Sequence, residues 1–120
     1  QIGLAAGRLQ RLAGTGERGY TGDGGPALNA TFNGPKGIAY SRSDNSLYIV
    51  DTENHVIRRL SLSTGILDTV LGNGERGDGP DGDPLACAMN RPHGVCAHRG
   101  VLYVSDSESH RLRSVTGLIA

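Results

Sequence analysis

The sequence predicts an all-β protein built from two copies of one short-stranded unit. Three observations lead to this prediction: 19 of the 120 residues are glycine, the apolar segments are strand-sized, and the chain repeats itself. Glycine usually supplies about 7% of a protein, so the excess indicates many turns. The glycines follow no strict three-residue period, which excludes collagen. Mixed charges and recurring apolar segments argue against disorder.

The repetition extends over most of the chain. Three stretches of the first copy recur in order in the second: residues 14–19 as 72–77, 33–39 as 90–96, and 47–55 as 102–110. The spacing between matched residues shrinks along the chain, so the second copy is shorter in two loops. Ordered matches of this kind indicate a repeat architecture.

Each unit is predicted to contain four short strands. In the first unit we expect them at residues 37–40, 47–50, 55–62 and 66–71. The third of these segments alternates with a period of two, which is the signal of a strand. Turn-forming residues separate the segments. A long glycine-rich connection precedes each unit, at residues 14–33 and 72–90, and Pro26 is suited to start a single helical turn there.

Four-stranded antiparallel units that repeat in this way are typical of β-propeller blades. Residues 8–13 align with 66–71, so the chain is expected to begin at the fourth strand of a preceding blade. We therefore expect a partial propeller of about two blades in permuted phase: residues 1–14 as the end of a preceding blade, 15–71 as blade 1 with its long leading loop, and 72–120 as blade 2 without its fourth strand. A closed propeller has about 4–8 blades. A piece of a longer protein is the favoured interpretation, and self-assembly that closes the propeller is the alternative.

The motifs within the units also carry a family resemblance. Residues 34–39 read Gly-Pro-Lys-Gly-Ile-Ala, residues 47–51 read Leu-Tyr-Ile-Val-Asp, and residues 54–60 read Asn-His-Val-Ile-Arg-Arg-Leu. In this order they resemble the NHL repeat, and residues 19–27 look like the inter-blade loop of bacterial NHL-repeat proteins. The second copy has Ser109 where the first has Asn54, and it keeps Pro92, Gly94, Tyr103, Asp106, His110, Arg111 and Arg113. The resemblance implies contacts with protein, RNA or carbohydrate, and it slightly favours an extracytoplasmic or secreted location.

The most conspicuous polar residues occur once in each unit. They are Asp51, His55 and Arg58 in the first and Asp106, His110 and Arg113 in the second. A Ser-His-Asp site would need one asymmetric constellation with a nucleophile beside the histidine, so their repetition favours a structural motif. Charge-assisted hydrogen bonds from the aspartates would stabilise the following turns. Whether the arginines pair with the aspartates or face solvent stays open.

Three other motifs are read as structural or left open. The acidic loop at residues 78–83 lacks the ligand spacing of a calcium-binding EF-hand, so we expect a solvated connector. The Gly-x-Gly-x-x-Gly strings at residues 14–19 and 72–77 open no βαβ unit, so we expect tight turns with positive φ. Cys87 and Cys96 lack the partners of a zinc site. They are either disulfide-bonded or two free thiols.

These observations favour binding over catalysis. The formal net charge is zero, so we expect no nucleic-acid partner. No apolar stretch approaches the ~18 residues that a membrane span needs, so we expect no span. We expect no catalytic residue, metal or cofactor. Lys36 and His93 precede the first strands, which line a propeller's channel, and they are the candidate channel-side ligand contacts. The favoured function is a non-catalytic binding or scaffold segment that contacts a protein or another ligand. The alternative is part of a metal-dependent six-bladed hydrolase of gluconolactonase type.

Overall fold

The computed structural model describes residues 7–118, which form two antiparallel β-sheets. The eight strands are β1 (Gly25–Pro26), β2 (Pro35–Ser41), β3 (Ser46–Asp51), β4 (Val56–Ser61), β5 (Ile66–Leu71), β6 (Gly94–His98), β7 (Val101–Asp106) and β8 (Arg111–Val115). Four 3₁₀ helices of three residues each lie between them, at Ala27–Asn29, Thr52–Asn54, Pro84–Ala86 and Ser107–Ser109. No helix in this range is long and apolar enough to cross a bilayer. The predicted all-β partial propeller is confirmed.

The sheets follow the order of the repeat. The first sheet has the order β1-β5-β4-β3-β2, and the second has the order β6-β7-β8. We call β2–β5 blade 1 and β6–β8 blade 2. Strand β1 was not anticipated from the sequence; it is a two-residue strand of the glycine-rich connection that pairs with Leu67 and Ile66 at the edge of blade 1.

The leading segment does not form the strand that its alignment predicts. Residues 7–13 have no regular secondary structure, because a strand requires a hydrogen-bonded neighbour and no described strand lies beside them. The segment contacts the first connection instead: the Arg11 guanidinium donates to the Leu28 carbonyl at 2.9 Å, and the Gly14 N–H that follows donates to the Ala27 carbonyl at 2.9 Å. Residues 1–6 and 119–120, parts of the predicted segments 1–14 and 72–120, lie outside the described residues.

The two blades pack against each other through an apolar face of each sheet. The buried core between them consists of Tyr48, Val50, Ile57, Val70 and Leu71 from blade 1, Leu102, Val104 and Val115 from blade 2, and Cys87 and Met89 from the second connection. A smaller cluster on the other face of blade 1 joins Leu60 and Leu67 to Ala27 and Ala30. Removal of these apolar side chains from water is the main force that holds the sheets together.

Glycines set the path of both connections. Gly14 and Gly72 have φ values of +87° and +102°, which confirms the predicted positive-φ turns at these positions. The last glycine of each string has a different role. A Cβ at Gly19 would lie 2.7 Å from the Thr31 hydroxyl, and a Cβ at Gly77 would lie 2.8 Å from the Ala88 methyl group. Each connection can therefore fold back on itself only with glycine there.

Gly37 of β2 lies against the start of β6, where the first strands of the two blades meet. A Cβ at this position would lie 2.5 Å from the His93 carbonyl oxygen. We expect Gly37→Ala to lower the free energy of unfolding by about 1–3 kcal/mol, because the blades must move apart. Gly25→Ala is the control, since its Cβ would meet no atom closer than 3.5 Å. Urea unfolding of both variants measures the effect, and equal losses would contradict this account.

Candidate functional site

The side chain of Arg58 is fully buried on β4 and uses all five of its N–H donors. Its guanidinium lies 3.2 Å from a carboxylate oxygen of Asp51 and 3.2 Å from one of Asp23. It also donates to the carbonyls of Thr21 and Thr31, each at 2.7 Å. One cation thus joins the end of β3, the middle of the connection and its end.

Aromatic rings complete the environment of this guanidinium. The ring centroids of Tyr20 and Phe32 lie 5.1 Å and 4.7 Å from the central carbon of Arg58, within cation–π range. Thr69 of β5 donates to the second oxygen of Asp23 at 2.6 Å, and its hydroxyl lies 2.7 Å from that of Tyr20. No partner for Asp23 could be assigned from the sequence, because the acid and the arginine are separated by 35 residues.

Asp51 is fully buried at the end of β3. It accepts hydrogen bonds from the backbone N–H of Asn33 and from the Asn54 amide, both at 2.8 Å, as well as from Arg58. Burial raises the pKa of Asp51, while these hydrogen bonds act in the opposite direction. The carboxylate therefore fixes the point at which the connection enters β2.

Blade 2 repeats the arrangement with different partners. Asp106 accepts from the N–H of Asn90 at 2.7 Å and from Arg113 at 2.9 Å. Arg113 also contacts Asp78 and Asp81, each at 2.7 Å. The acidic loop was expected to be a solvated connector; two of its carboxylates are instead ion-paired with arginines of β8. A hydrogen bond from Arg111 holds the pKa of Asp78 below its usual range.

His55 belongs to the contact between the blades. It has a left-handed backbone (φ 58°) at the end of the 3₁₀ helix Thr52–Asn54, and no hydrogen bond within residues 7–118 joins it to Asp51. Its Nδ1 atom accepts the backbone N–H of Arg91 at 3.0 Å. Burial lowers the pKa of this imidazole, and Arg76 acts in the same direction.

Two further polar contacts cross between the blades at this end. The Thr52 hydroxyl donates to the Pro92 carbonyl at 2.8 Å. The Arg91 guanidinium lies 2.7 Å from Glu53 and 3.9 Å from Glu108, and its hydrogen bond lowers the pKa of Glu53. These contacts fix how far one blade can slide along the other.

Lys36 and His93 have exposed side chains at the same end of the molecule. Lys36 is the second residue of β2, and His93 directly precedes β6. The two first strands lie side by side here, as the close approach of Gly37 to the His93 carbonyl indicates. Both side chains face solvent near the point where these two strands come together.

The two cysteines are free. Cys87 is buried between the blades, where burial raises the pKa of its thiol. Cys96 is exposed on β6, opposite Tyr103 on the face that points away from blade 1. A disulfide is therefore absent because the two thiols lie on different sides of blade 2.

The repeated four-stranded geometry defines the class of protein, a β-propeller, in which an Asp–Arg pair joins strand and connection in each blade. Sequence comparison assigns the family. The NHL repeat model matches residues 32–60 and 89–113. The protein SUPPRESSOR OF QUENCHING 1, chloroplastic, of Arabidopsis thaliana is 34% identical over 73% of this chain. NHL repeat-containing protein 2 of Homo sapiens is 28% identical over 74% of it. The chain belongs to the NHL-repeat family, and it spans only 8% and 12% of these two relatives.

A solved structure shows the same fold. A structural genomics protein of unknown function from Bacteroides thetaiotaomicron superposes with a TM-score of 0.75 at 24% identity. The superposition covers 85% of this chain and 26% of the solved chain.

The buried Arg58 is the first target for mutation. Arg58→Met leaves Asp51 charged and unpaired in the core, so we expect the free energy of unfolding to fall by about 3–5 kcal/mol. Arg59→Met, one residue on and on the opposite face, is the control and should cost less than about 1 kcal/mol. The double variant Asp51→Asn/Arg58→Met should lose less than the sum of the single losses. Additive losses measured in urea would contradict this role.

His55 makes the stability of the fold depend on pH. Its pKa is lower in the folded protein than the ordinary value of 6.5, so the unfolded chain takes up the proton first. Stability is therefore complete above pH 6.5 and is lost as the pH falls below that value toward the folded pKa. We expect a loss of about 0.5–1.5 kcal/mol, the value of one hydrogen bond.

The non-titrating variant His55→Asn isolates this contribution, since asparagine tolerates the left-handed backbone. Urea midpoints at about pH 7.5 and about pH 5.5 should differ more for the wild type than for the variant. The same pH dependence in both proteins would show that His55 does not cause it.

Proposed function

We propose that this chain is a non-catalytic binding segment of an NHL-repeat propeller. It contacts a protein or another ligand at the end of the blades that carries Lys36 and His93. The observation that supports the proposal most strongly is that the repeated Asp and Arg side chains already bond to groups within the fold. Arg58 has no donor left for a substrate, and Asp51 is fully buried. The charges and hydrogen-bonding groups of these two residues stabilise the fold.

The exposed groups at the channel end support a ligand-facing role. Lys36 offers a free ammonium group and His93 an imidazole, beside the Glu53–Arg91 ion pair. Mixed charges around exposed donors suit a polar or acidic protein surface, because complementary charge gives specificity. The membership in the NHL-repeat family supports the same class of function.

The gluconolactonase-type alternative has less support. Such an enzyme needs carboxylate or amide ligands around the channel. Strand β2 reads Pro-Lys-Gly-Ile-Ala-Tyr-Ser and β6 reads Gly-Val-Cys-Ala-His, so neither first strand carries such a ligand. A fold by itself does not define a function.

The test compares partner binding in the protein as it occurs in the cell. A partner is first captured by cross-linking and then purified. We expect the double variant Lys36→Glu/His93→Glu to bind this partner at least about tenfold more weakly, or by ~1.4 kcal/mol. Arg42→Glu, at the opposite end of β2, is the matched control and should bind normally. Equal weakening in both variants, or lactone hydrolysis that a chelator abolishes, would contradict the proposal.

A further inference from the structure

A polar cleft lies between the first hairpin turns of the two blades, at the end opposite Lys36 and His93. The turn between β2 and β3 forms one wall, and the turn between β6 and β7 forms the other. We call this space the hairpin cleft; its lining includes residues 41–43 and 98–100, and its volume is about 760 Å³. Sites for small molecules typically have volumes of about 300–1,000 Å³, so the hairpin cleft has room for such a ligand.

The two units place an arginine at the same position of this cleft. Arg42 and Arg99 each stand five residues after the corresponding glycine of their unit, Gly37 and Gly94. Each arginine directly follows the first strand of its blade. The turns differ otherwise, since four residues separate the last paired residues in blade 1 and two separate them in blade 2. The arginine is therefore the feature that these two unlike turns share.

The conformation of the second turn does not favour an arginine. Arg99 and Gly100 both have a left-handed backbone, with φ values of 51° and 79°. Two-residue turns of this kind favour Asn-Gly or Asp-Gly, and blade 1 places Asn45 at its own left-handed position, with φ 49°. An arginine in this conformation is less favourable for folding. Residues that break a local rule in this way are expected at functional sites.

The two arginines lack a counter-charge in the part of the chain that the structure describes. Within residues 7–118, no ion pair joins Arg42 or Arg99 to a carboxylate, and none of the residues that line the cleft is acidic. Asp44 lies in the same turn as Arg42, but one of its oxygens accepts the Tyr48 hydroxyl at 2.7 Å and the other is buried. Both arginines are exposed, so their donors are accessible to a ligand.

The charge and geometry of these groups match a phosphate monoester. Such a group carries a charge of about −1.5 to −2 near neutral pH, which two guanidinium groups balance, whereas a carboxylate carries only one negative charge. The planar guanidinium also pairs with two phosphate oxygens at once. Ser43 and His98 line the cleft as well, and their hydroxyl and imidazole can donate further hydrogen bonds.

We propose that the hairpin cleft binds a small phosphate monoester, with Arg42 and Arg99 donating to the phosphate oxygens from opposite walls. The rest of the ligand occupies the space between the two turns. This site is separate from the ligand end that carries Lys36 and His93, because the two lie at opposite ends of β2. Either proposal can therefore fail without the other.

Calorimetric titration of the protein as it occurs in the cell, with phenyl phosphate as the probe, tests the site. We expect a Kd of about 1 mM or lower, and at least a tenfold weaker Kd, or about 1.4 kcal/mol, for Arg42→Gln and for Arg99→Asn. Arg18→Gln removes the same charge from an exposed position in the first connection and should bind as the wild type does.

The Arg99→Asn variant separates binding from folding. Asparagine suits the left-handed position better than arginine does, so this variant should have a higher midpoint of thermal unfolding although it binds phenyl phosphate more weakly. A loss of binding in this variant cannot then be attributed to an unfolded protein. Unchanged binding in Arg99→Asn, or equal weakening in Arg18→Gln, would overturn the proposal.

Two further probes test the class of ligand. Benzoate has the same ring with a single negative charge, and inorganic phosphate has the charge without the ring. We expect both to bind more weakly than phenyl phosphate, because benzoate leaves one guanidinium unbalanced and inorganic phosphate leaves part of the cleft empty. Benzoate that binds as tightly would show a site for any anion, and inorganic phosphate that binds as tightly would show a site for free phosphate; either result would contradict the assignment to a monoester.

Discussion

The structure of each blade depends on one arginine, which is fully buried in blade 1 and largely buried in blade 2. Arg58 meets two aspartates, two carbonyls and two aromatic rings drawn from the strand and the connection. Removing a guanidinium from water is costly unless all its donors are satisfied, so the connection must close around it. The charge it encloses therefore orders the glycine-rich connection, together with the packing of Ala27 and Ala30 against blade 1.

Blade 2 fulfils the same requirement with other side chains. Besides the repeated aspartate at the strand end, Asp78 and Asp81 contact Arg113, whereas Asp23 and two aromatic rings contact Arg58. The need is for negative charge or an aromatic face around the guanidinium, and either can supply it. This explains how two loops of different sequence reach the same path.

The packing between the blades follows from two flat apolar sheets held in place by short polar contacts. Apolar contact alone would allow the sheets to slide, because the hydrophobic effect has no preferred direction. The hydrogen bond from Arg91 to His55 and that from Thr52 to Pro92 remove this freedom. These contacts therefore determine how the two blades are placed against each other.

The sequence by itself determined the repeat, the strand order and the two-blade architecture, since strand periodicity and turn residues are local signals. Leu47–Val50 and Ile66–Leu71 could be assigned as strands for this reason. Which charged residues pair with each other could be decided only by the tertiary structure, because Asp23 and Arg58 meet only after the connection folds back across the sheet. The same is true of residues 8–13, which have the sequence of a strand. A strand forms only beside a partner, and the fold decides whether that partner is present.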